Sequence, residues 1–189
     1  MAEPFGRADR FRAAPSSGGS PQTFGVMNIQ VAPLAASHFE GLRLALDAVA
    51  REKRYLAFTE APSPSDAYGF YQGILTNDHS HFVALIDGEV SGWCDVLPTH
   101  GQARRHVGTL GIGLLPSARH RGIGYLLIQA AISKAQSKGL SRIELTVRVD
   151  NANAKALYER VGFKTEGLNV RAFFIDGAFY DAYAMALLQ

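Results

Sequence analysis

The stretch that decides the fold is residues 107–137, "VGTLGIGLLPSARHRGIGYLLIQAAISKAQS". Its first part predicts a strand that ends at Pro116, and its last part repeats apolar residues at helical spacing. Between them, "RHRGIG" at 119–124 sets two arginines and two glycines at the start of the helix. The first N–H groups of a helix lack partners, and the N-terminus is the positive end of the helix dipole. The stretch therefore predicts a site for phosphate oxygens, most naturally those of a pyrophosphate.

Two common phosphate-binding patterns do not fit this loop. A dinucleotide fingerprint needs a third glycine at position 127, where the chain has Leu127. A nucleoside triphosphate loop needs a Gly-Lys-Ser/Thr ending, which the loop lacks. Taken alone, the residues also leave a structural alternative open, in which the glycines only shape a tight turn and the arginines are solvated.

A second motif follows at 145–163, "LTVRVDNANAKALYERVGF". Together with Arg119-x-x-Gly122-x-Gly124, it resembles the two hallmarks of the GNAT superfamily of acyl-CoA N-acyltransferases, in the expected order and spacing. The matching positions of the second motif are Asn151, Ala154, Leu157, Tyr158, Glu159, Gly162 and Phe163. The resemblance runs from about residue 26 to the C-terminus, and its closing segment is similar to phosphinothricin-type small-molecule acetyltransferases. It implies acetyl-CoA as the co-substrate.

Periodicity and turn residues predict the element order β-α-α-β-β-β-α-β-α-β-β. The Asp-Gly pair at 87–88 predicts a type I′ hairpin turn, and a second hairpin is expected about the Asp-Gly pair at 176–177. The expected fold class is α/β, a mixed and mostly antiparallel central sheet flanked by helices, in which the resemblance implies splayed strands. Residues 1–24 lack a period and are expected to form a disordered tail, with one acetyltransferase domain at 25–189. The helix after the loop is expected to bury one face: Ile123, Leu126, Leu127, Ala130 and Ala131.

Composition excludes several classes of partner. A net charge of +2 is too small for nucleic-acid binding, which needs clustered Lys and Arg. No apolar run reaches the ~18 residues of a membrane span, and the N-terminus lacks the apolar core of a signal peptide. The single cysteine, Cys94, is expected to be a small buried hydrophobe, and the scattered histidines predict no metal site. We therefore expect a cytoplasmic protein. A homodimer is common in the resembled fold, but nothing in this sequence addresses it.

The resemblance also implies which residues bind the co-substrate. In the family the pantetheine arm pairs with the open edge of the strand before the loop, the loop holds the pyrophosphate, and the asparagine contacts the arm. The matching positions here are Ile112, Gly113, Leu114, Arg119, His120, Arg121, Gly122, Ile123, Gly124, Tyr125, Asn151 and Tyr158. Leu114 is expected to donate its backbone N–H to the thioester oxygen. Asn151 is a helix N-cap, a co-substrate contact, or both. Gly111 and Gly113 suit a strand that another backbone approaches.

Tyr158 occupies the position where the family carries the general acid that protonates the departing thiolate. A phenol with a reference pKa near ~10 suits that leaving group, although the helical spacing of Tyr158 also fits core packing.

The general base is left open, because the positions where relatives carry a glutamate are Thr146 and Gly108 or Thr109 here. The candidates are His106, which has a well-matched intrinsic pKa, Glu144 on the same strand face as Thr146, and Asp95 on an earlier strand. A water relay is a further alternative.

The sequence thus predicts an acetyl-CoA-dependent N-acetyltransferase that acts on the primary amine of a small, amino-acid-like molecule by direct attack in a ternary complex. A ribosomal-type protein N-terminal acetyltransferase shares both motifs and is the next interpretation. A non-catalytic acyl-CoA sensor and a nucleotide-binding α/β module are rivals from other classes. Candidate contacts to a cationic amine are Glu60, Asp66 and Asp95, and candidate contacts to a carboxylate are Arg51, Lys53 and Arg54.

Overall fold

The computed structural model describes residues 28–189, so the tail expected at 1–24 lies outside the described residues. The strands are β1 (Ile29–Pro33), β2 (Ser80–Ile86), β3 (Glu89–Pro98), β4 (Val107–Leu114), β5 (Arg142–Arg148), β6 (Lys164–Ile175) and β7 (Ala178–Leu188). The helices are α1 (Phe39–Ala50), α2 (Pro64–Thr76), α3 (Ile123–Ser137) and α4 (Ala152–Val161). The predicted order of elements and the α/β class are confirmed. Within this range, no helix is long and apolar enough to cross a bilayer.

The strands form one sheet in the order β1-β2-β3-β4-β5-β7-β6. The pairing of β4 with β5 is parallel, and the other described strand pairs are antiparallel. Both hairpin turns have a positive φ at each central residue, at Asp87 and Gly88 and at Asp176 and Gly177. A type I′ turn requires this geometry, so the turn predicted at 87–88 is confirmed, and the pairing of β6 with β7 confirms the hairpin expected at 176–177.

The sheet opens between β4 and β5. The two strands pair only where Val107–Thr109 lies beside Arg142–Glu144. Beyond that point β4 continues to Leu114 and β5 continues to Arg148, but the register between them has ended. This confirms the splayed strands, and the resulting gap leaves one edge of β4 without a strand partner.

Apolar layers cover both faces of the sheet. The helices α3 and α4 pack on one face, where Leu127 and Ile128 are fully buried, and α1 and α2 pack on the other, where Leu42 and Ile74 are buried. The predicted burial of Leu126 is wrong, because its side chain is 52% exposed. The buried face of α3 is rotated slightly about the helix axis relative to the predicted face, so Ile128 packs on the sheet in place of Leu126.

Candidate active site

A cleft of about 370 Å³ lies in front of the N-terminus of α3 and follows the gap between β4 and β5. We call it the α3 cleft. Ten of the predicted co-substrate positions line it: Ile112, Gly113, Leu114, Arg119, His120, Gly122, Gly124, Tyr125, Asn151 and Tyr158. Two do not, since Ile123 is buried in the core and Arg121 lies outside the lining. The structure therefore brings together residues from two distant motifs.

The N-terminus of α3 presents unused backbone donors. Gly122 caps the helix with a φ of 77°, a left-handed conformation that glycine adopts without strain, and open space surrounds the position that a side chain would take. Tyr125 donates to the Gly122 carbonyl at 3.1 Å. The N–H groups of Ile123 and Gly124 precede this bond and have no acceptor in the helix. The geometry fits an anion at the positive end of α3.

Arg119 is held by the fold. Its Nε donates to the Leu114 carbonyl at 3.0 Å and its Nη1 donates to Glu52 Oε2 at 2.9 Å. The guanidinium also lies 5.9 Å from the centre of the Tyr55 ring. Arg119 thus ties the end of β4 to the segment between α1 and α2. A phosphate in the α3 cleft would have to share this arginine with Glu52.

The backbone N–H of Leu114 faces the gap. Leu115, just after β4, donates to the Ser91 carbonyl at 2.9 Å across the β3–β4 pair. Residues of an antiparallel strand direct their backbone groups alternately toward one neighbour and away from it. The N–H and C=O groups of Leu114 and Ile112 therefore face the side where β5 has separated.

A second cleft, of about 570 Å³, lies on the other face of the sheet, beneath α1 and α2. We call it the α2 cleft. Five residues line both clefts: Tyr55, Leu56, Ile112, Thr146 and Tyr158. These shared residues mark a junction at the gap, where a molecule in one cleft can touch a molecule in the other.

The helix α4 positions two of the predicted residues. Tyr158 is 7% exposed, and its ring meets the edge of Phe163 with the ring centres 5.9 Å apart. Burial raises the pKa of the Tyr158 phenol above its ordinary value, so the hydroxyl stays protonated at neutral pH and is a weaker acid than a solvent-exposed phenol. Asn151 Oδ1 accepts from the Ala154 N–H at 3.3 Å, which is the N-cap role.

Asp95 presents a carboxylate to the α2 cleft. It lies opposite His81 on β2 and Gly111 on β4, so the three form a row across the sheet toward the gap. A methyl group on Gly111 would lie 3.0 Å from Asp95 Oδ1, and one on Gly113 would collide with Trp93. The two glycines thus make room for side chains of β3, which differs from the reason expected. Burial raises the pKa of Asp95 to about 7.

Two polar side chains of the α2 cleft have no hydrogen-bond partner within residues 28–189. They are His81, at both ring nitrogens, and Tyr71, at its hydroxyl. Their side chains are buried, and the two ring centres are 6.3 Å apart. Burial lowers the pKa of His81 to about 4 and raises the pKa of Tyr71 to about 12. Both are therefore neutral near pH 7, where Asp95 titrates.

The structure does not bring the two other candidate bases to either cleft. His106 is exposed just before β4, and its carbonyl accepts from the Arg142 N–H at 3.1 Å. The Glu144 carboxylate accepts from Arg142 Nε and from Arg104 Nη2, each at 2.7 Å. The hydrogen bond from Arg142 holds the pKa of Glu144 below its usual range. Glu144 lies in the paired part of β4 and β5, before the gap opens.

The lining residues that were not predicted as ligand contacts include Arg148, His81 and Tyr71. Arg148 lines the α3 cleft, bonds Asp150 through Nε at 2.9 Å, and stacks 3.7 Å from the centre of the Tyr180 ring. The sequence could have indicated Arg148, because it is a charged residue in a strand of alternating apolar residues. For His81 and Tyr71 no sequence pattern was available, because their proximity arises from the packing of α2 on β2.

Splayed parallel strands beside a glycine-rich helix start are the arrangement that the resemblance to acyl-CoA N-acyltransferases implies. The Acetyltransferase (GNAT) family matches residues 46–163, and the chain belongs to this family. It is 33% identical over 143 residues to the L-amino acid N-acetyltransferase AaaT of Escherichia coli K12, an alignment that covers 74% of this chain and 87% of the relative. It is 34% identical over 114 residues to the N-alpha-acetyltransferase RimI of Mycobacterium tuberculosis, with 59% and 68% covered.

Solved structures share this fold. A GNAT-family acetyltransferase from Streptococcus pneumoniae superposes with a TM-score of 0.80 at 26% identity, covering 86% of this chain and 100% of the other. A phosphinothricin acetyltransferase from Sinorhizobium meliloti, crystallised in complex with acetyl-CoA, superposes with a TM-score of 0.79 at 20% identity, covering 85% and 88%. The predicted family is confirmed.

Proposed function

We propose that this protein transfers the acetyl group of acetyl-CoA to the primary amine of a small molecule about the size of an amino acid, by direct attack in a ternary complex. The observation that carries the proposal is the junction of the two clefts, where Ile112, Thr146 and Tyr158 line both. A thioester in the α3 cleft and an amine in the α2 cleft would meet there. The similarity to an L-amino acid N-acetyltransferase supports the size and the reaction.

The residues of the α3 cleft fit acetyl-CoA, which supplies the activated acetyl thioester when it is bound. The N–H groups of Ile123 and Gly124 suit the pyrophosphate, since they stand unused at the positive end of α3. The edge of β4 that faces the gap suits the amide groups of the pantetheine arm, because an unpaired strand edge accepts another extended chain. It offers the N–H and C=O of Ile112 and the N–H of Leu114, whereas the Leu114 carbonyl already accepts from Arg119. The acetyl-CoA bound to the Sinorhizobium meliloti enzyme supports this assignment.

Asp95 takes the role of proton acceptor in this proposal, in place of His106 and Glu144. The amine enters as an ammonium, gives one proton to the Asp95 carboxylate, and attacks with its lone pair. The Leu114 N–H donates to the carbonyl oxygen of the thioester while the N–C bond forms. As the C–S bond breaks, the Tyr158 hydroxyl gives its proton to the sulfur. Of the two protons that the amine loses, one restores Tyr158 and the other leaves to solvent.

A thermal-shift and thiol-release experiment tests this function. Acetyl-CoA should raise the melting temperature in a concentration-dependent manner, whereas ATP and NAD should not. A panel of primary amines should then release the free thiol of coenzyme A. The variant Tyr158→Phe should keep the acetyl-CoA shift and lose about 100-fold in turnover. Stabilisation by ATP or NAD alone would refute the assignment of the loop, and acetyl-CoA binding without turnover of any amine would indicate a sensor.

A peptide acceptor is the second candidate. The similarity to the N-alpha-acetyltransferase RimI favours it, because that relative is named for acting on an N-terminal α-amine. A peptide would need to leave the α2 cleft past the segment between α1 and α2. Acetylation of a short peptide with a kcat/KM above that of every small amine in the panel would select this candidate.

A further inference from the structure

We propose that the α2 cleft takes an apolar primary amine that carries no carboxylate, an inference that rests on the proposed acetyl transfer. The cleft is walled by large hydrocarbon side chains, which favour an alkyl or aromatic body in the acceptor. The walls include Leu46, Leu56, Phe58, Phe70, Trp93 and Phe173.

The charged groups of the α2 cleft are acidic. Asp95 lies on its floor and Asp66 lies at the start of α2, whereas no lysine or arginine of the described chain lines it. Its neutral polar groups are His81 and Tyr71. His81 lies beside Asp95 on β2, on the side away from the gap, and Tyr71 on α2 lies next to His81. They suit an uncharged hydrogen-bonding group at the far end of the acceptor, such as a phenol.

Two of the three basic residues expected from the sequence to hold a carboxylate are paired with carboxylates of the protein itself. Arg51 pairs with Asp47 at 2.7 Å, and Lys53 pairs with Asp176 at 2.7 Å. The third, Arg54, lies 5.5 Å from the centre of the Tyr55 ring. None of these three cations lines the α2 cleft. The lining of the α2 cleft therefore lacks the cation that was expected to hold a carboxylate.

The charges of the α2 cleft therefore favour binding of an amine without a carboxylate over binding of an α-amino acid. An ammonium that enters the α2 cleft gains the Asp95 carboxylate as its partner. A free α-amino acid carries its carboxylate on the carbon that bears the amine, so the carboxylate must enter with it. That group would lose its water, gain no cation from the residues that line the cleft and face Asp95, and each of these effects opposes binding.

Three matched probes test the inference with the full-length wild-type protein and saturating acetyl-CoA. They are tyramine, L-tyrosine and L-tyrosinamide, which share the phenol and differ in the carboxylate. Thiol release and the mass of the N-acetyl product report turnover. We expect kcat/KM for tyramine to exceed that for tyrosine by about 100-fold, and tyrosinamide to come within about tenfold of tyramine.

A variant pair provides a second readout. Phe58 lines the cleft and is 54% exposed, so Phe58→Arg places a cation there without disturbing the core. We expect about a tenfold gain in kcat/KM for tyrosine relative to the matched control Phe58→Leu.

Tyrosine turned over as well as tyramine by the wild-type protein would overturn the inference and leave acetyl transfer standing. Acetylation of peptides but of no small amine would likewise overturn the inference, and acetyl transfer itself would still stand. Acetyl-CoA binding with no acetylation of any amine would overturn both the inference and the proposed function.

Discussion

Replacing Asp95 by asparagine should make the protein more stable and less active at pH 8. Burial raises the pKa of this carboxyl from 3.8 to about 7, so the folded state favours its neutral form. The unfolded chain releases this proton near pH 4, whereas the folded state holds it up to about pH 7. The free energy of unfolding therefore falls as pH rises from 4 to 7 and stays at that lower value above pH 7. The difference between the two pKa values corresponds to at most about 4 kcal/mol. Water in the α2 cleft reduces this penalty, and we expect Asp95→Asn to gain about 2 kcal/mol at pH 8.

The same substitution should remove the proton acceptor. Wild-type kcat/KM is expected to rise with pH and to level off above about pH 7, because Asp95 must be ionised to take a proton. His81 and Tyr71, which face this carboxylate from β2 and α2, remain neutral across that interval. Asp95→Asn should lose about 100-fold in kcat/KM at pH 8, and its profile should lack the rise near pH 7.

Urea unfolding at pH 4.5 and pH 8, together with thiol-release kinetics, measures both effects. The stability difference between the two proteins should be small at pH 4.5 and large at pH 8. Asp66→Asn is the control, because Asp66 lines the same cleft but is exposed at the start of α2. It should destabilise by no more than about 1 kcal/mol and leave the rise near pH 7 intact. Equal stability of wild type and Asp95→Asn at pH 8, or unchanged turnover, would refute the reasoning.

Three other substitutions test the α3 cleft and the sheet. Gly122→Ala imposes a left-handed φ on alanine, so we expect about 1 kcal/mol of destabilisation and at least tenfold weaker binding of acetyl-CoA, measured by calorimetry. An unchanged affinity would contradict the assignment of the loop to the pyrophosphate. Gly113→Ala should cost about 1–3 kcal/mol in urea unfolding and shift the Trp93 fluorescence, because its methyl group collides with that ring; a wild-type spectrum and stability would speak against this. Glu52→Gln should tighten acetyl-CoA binding about threefold by releasing Arg119 to the phosphate, whereas weaker binding would show that the ion pair positions the arginine for it.

The fold was predictable because its signals are local. Apolar periodicity marks each helix and strand, Asp-Gly pairs mark the two hairpins, and the glycine-rich loop marks the start of α3. The error at Leu126 has a simple origin. The apolar residues of α3 extend around much of the helix, so periodicity alone does not set which of them faces the sheet.

The candidate site was predictable only in part. Positions of the α3 cleft come from two contiguous motifs, and their spacing along the chain made them visible. The α2 cleft is built from residues brought together by sheet register, as when Asp95 falls opposite Gly111 and His81. Neither the burial that raises the pKa of Asp95 nor the pairing of Glu144 with Arg142 leaves a pattern in sequence.

The two clefts draw mostly on different stretches of the chain, and this has a consequence for how the protein can diversify. The α3 cleft depends mainly on residues 112–160, and the α2 cleft draws most of its walls from 42–95, with a contribution from Phe173. Substitutions at residues that line the α2 cleft alone can therefore change which amine is accepted while binding of the acyl donor is retained. Proteins that descend from this one could exchange one acceptor for another through point mutations at Phe58 or Phe70, without an intermediate variant that no longer binds the acyl donor.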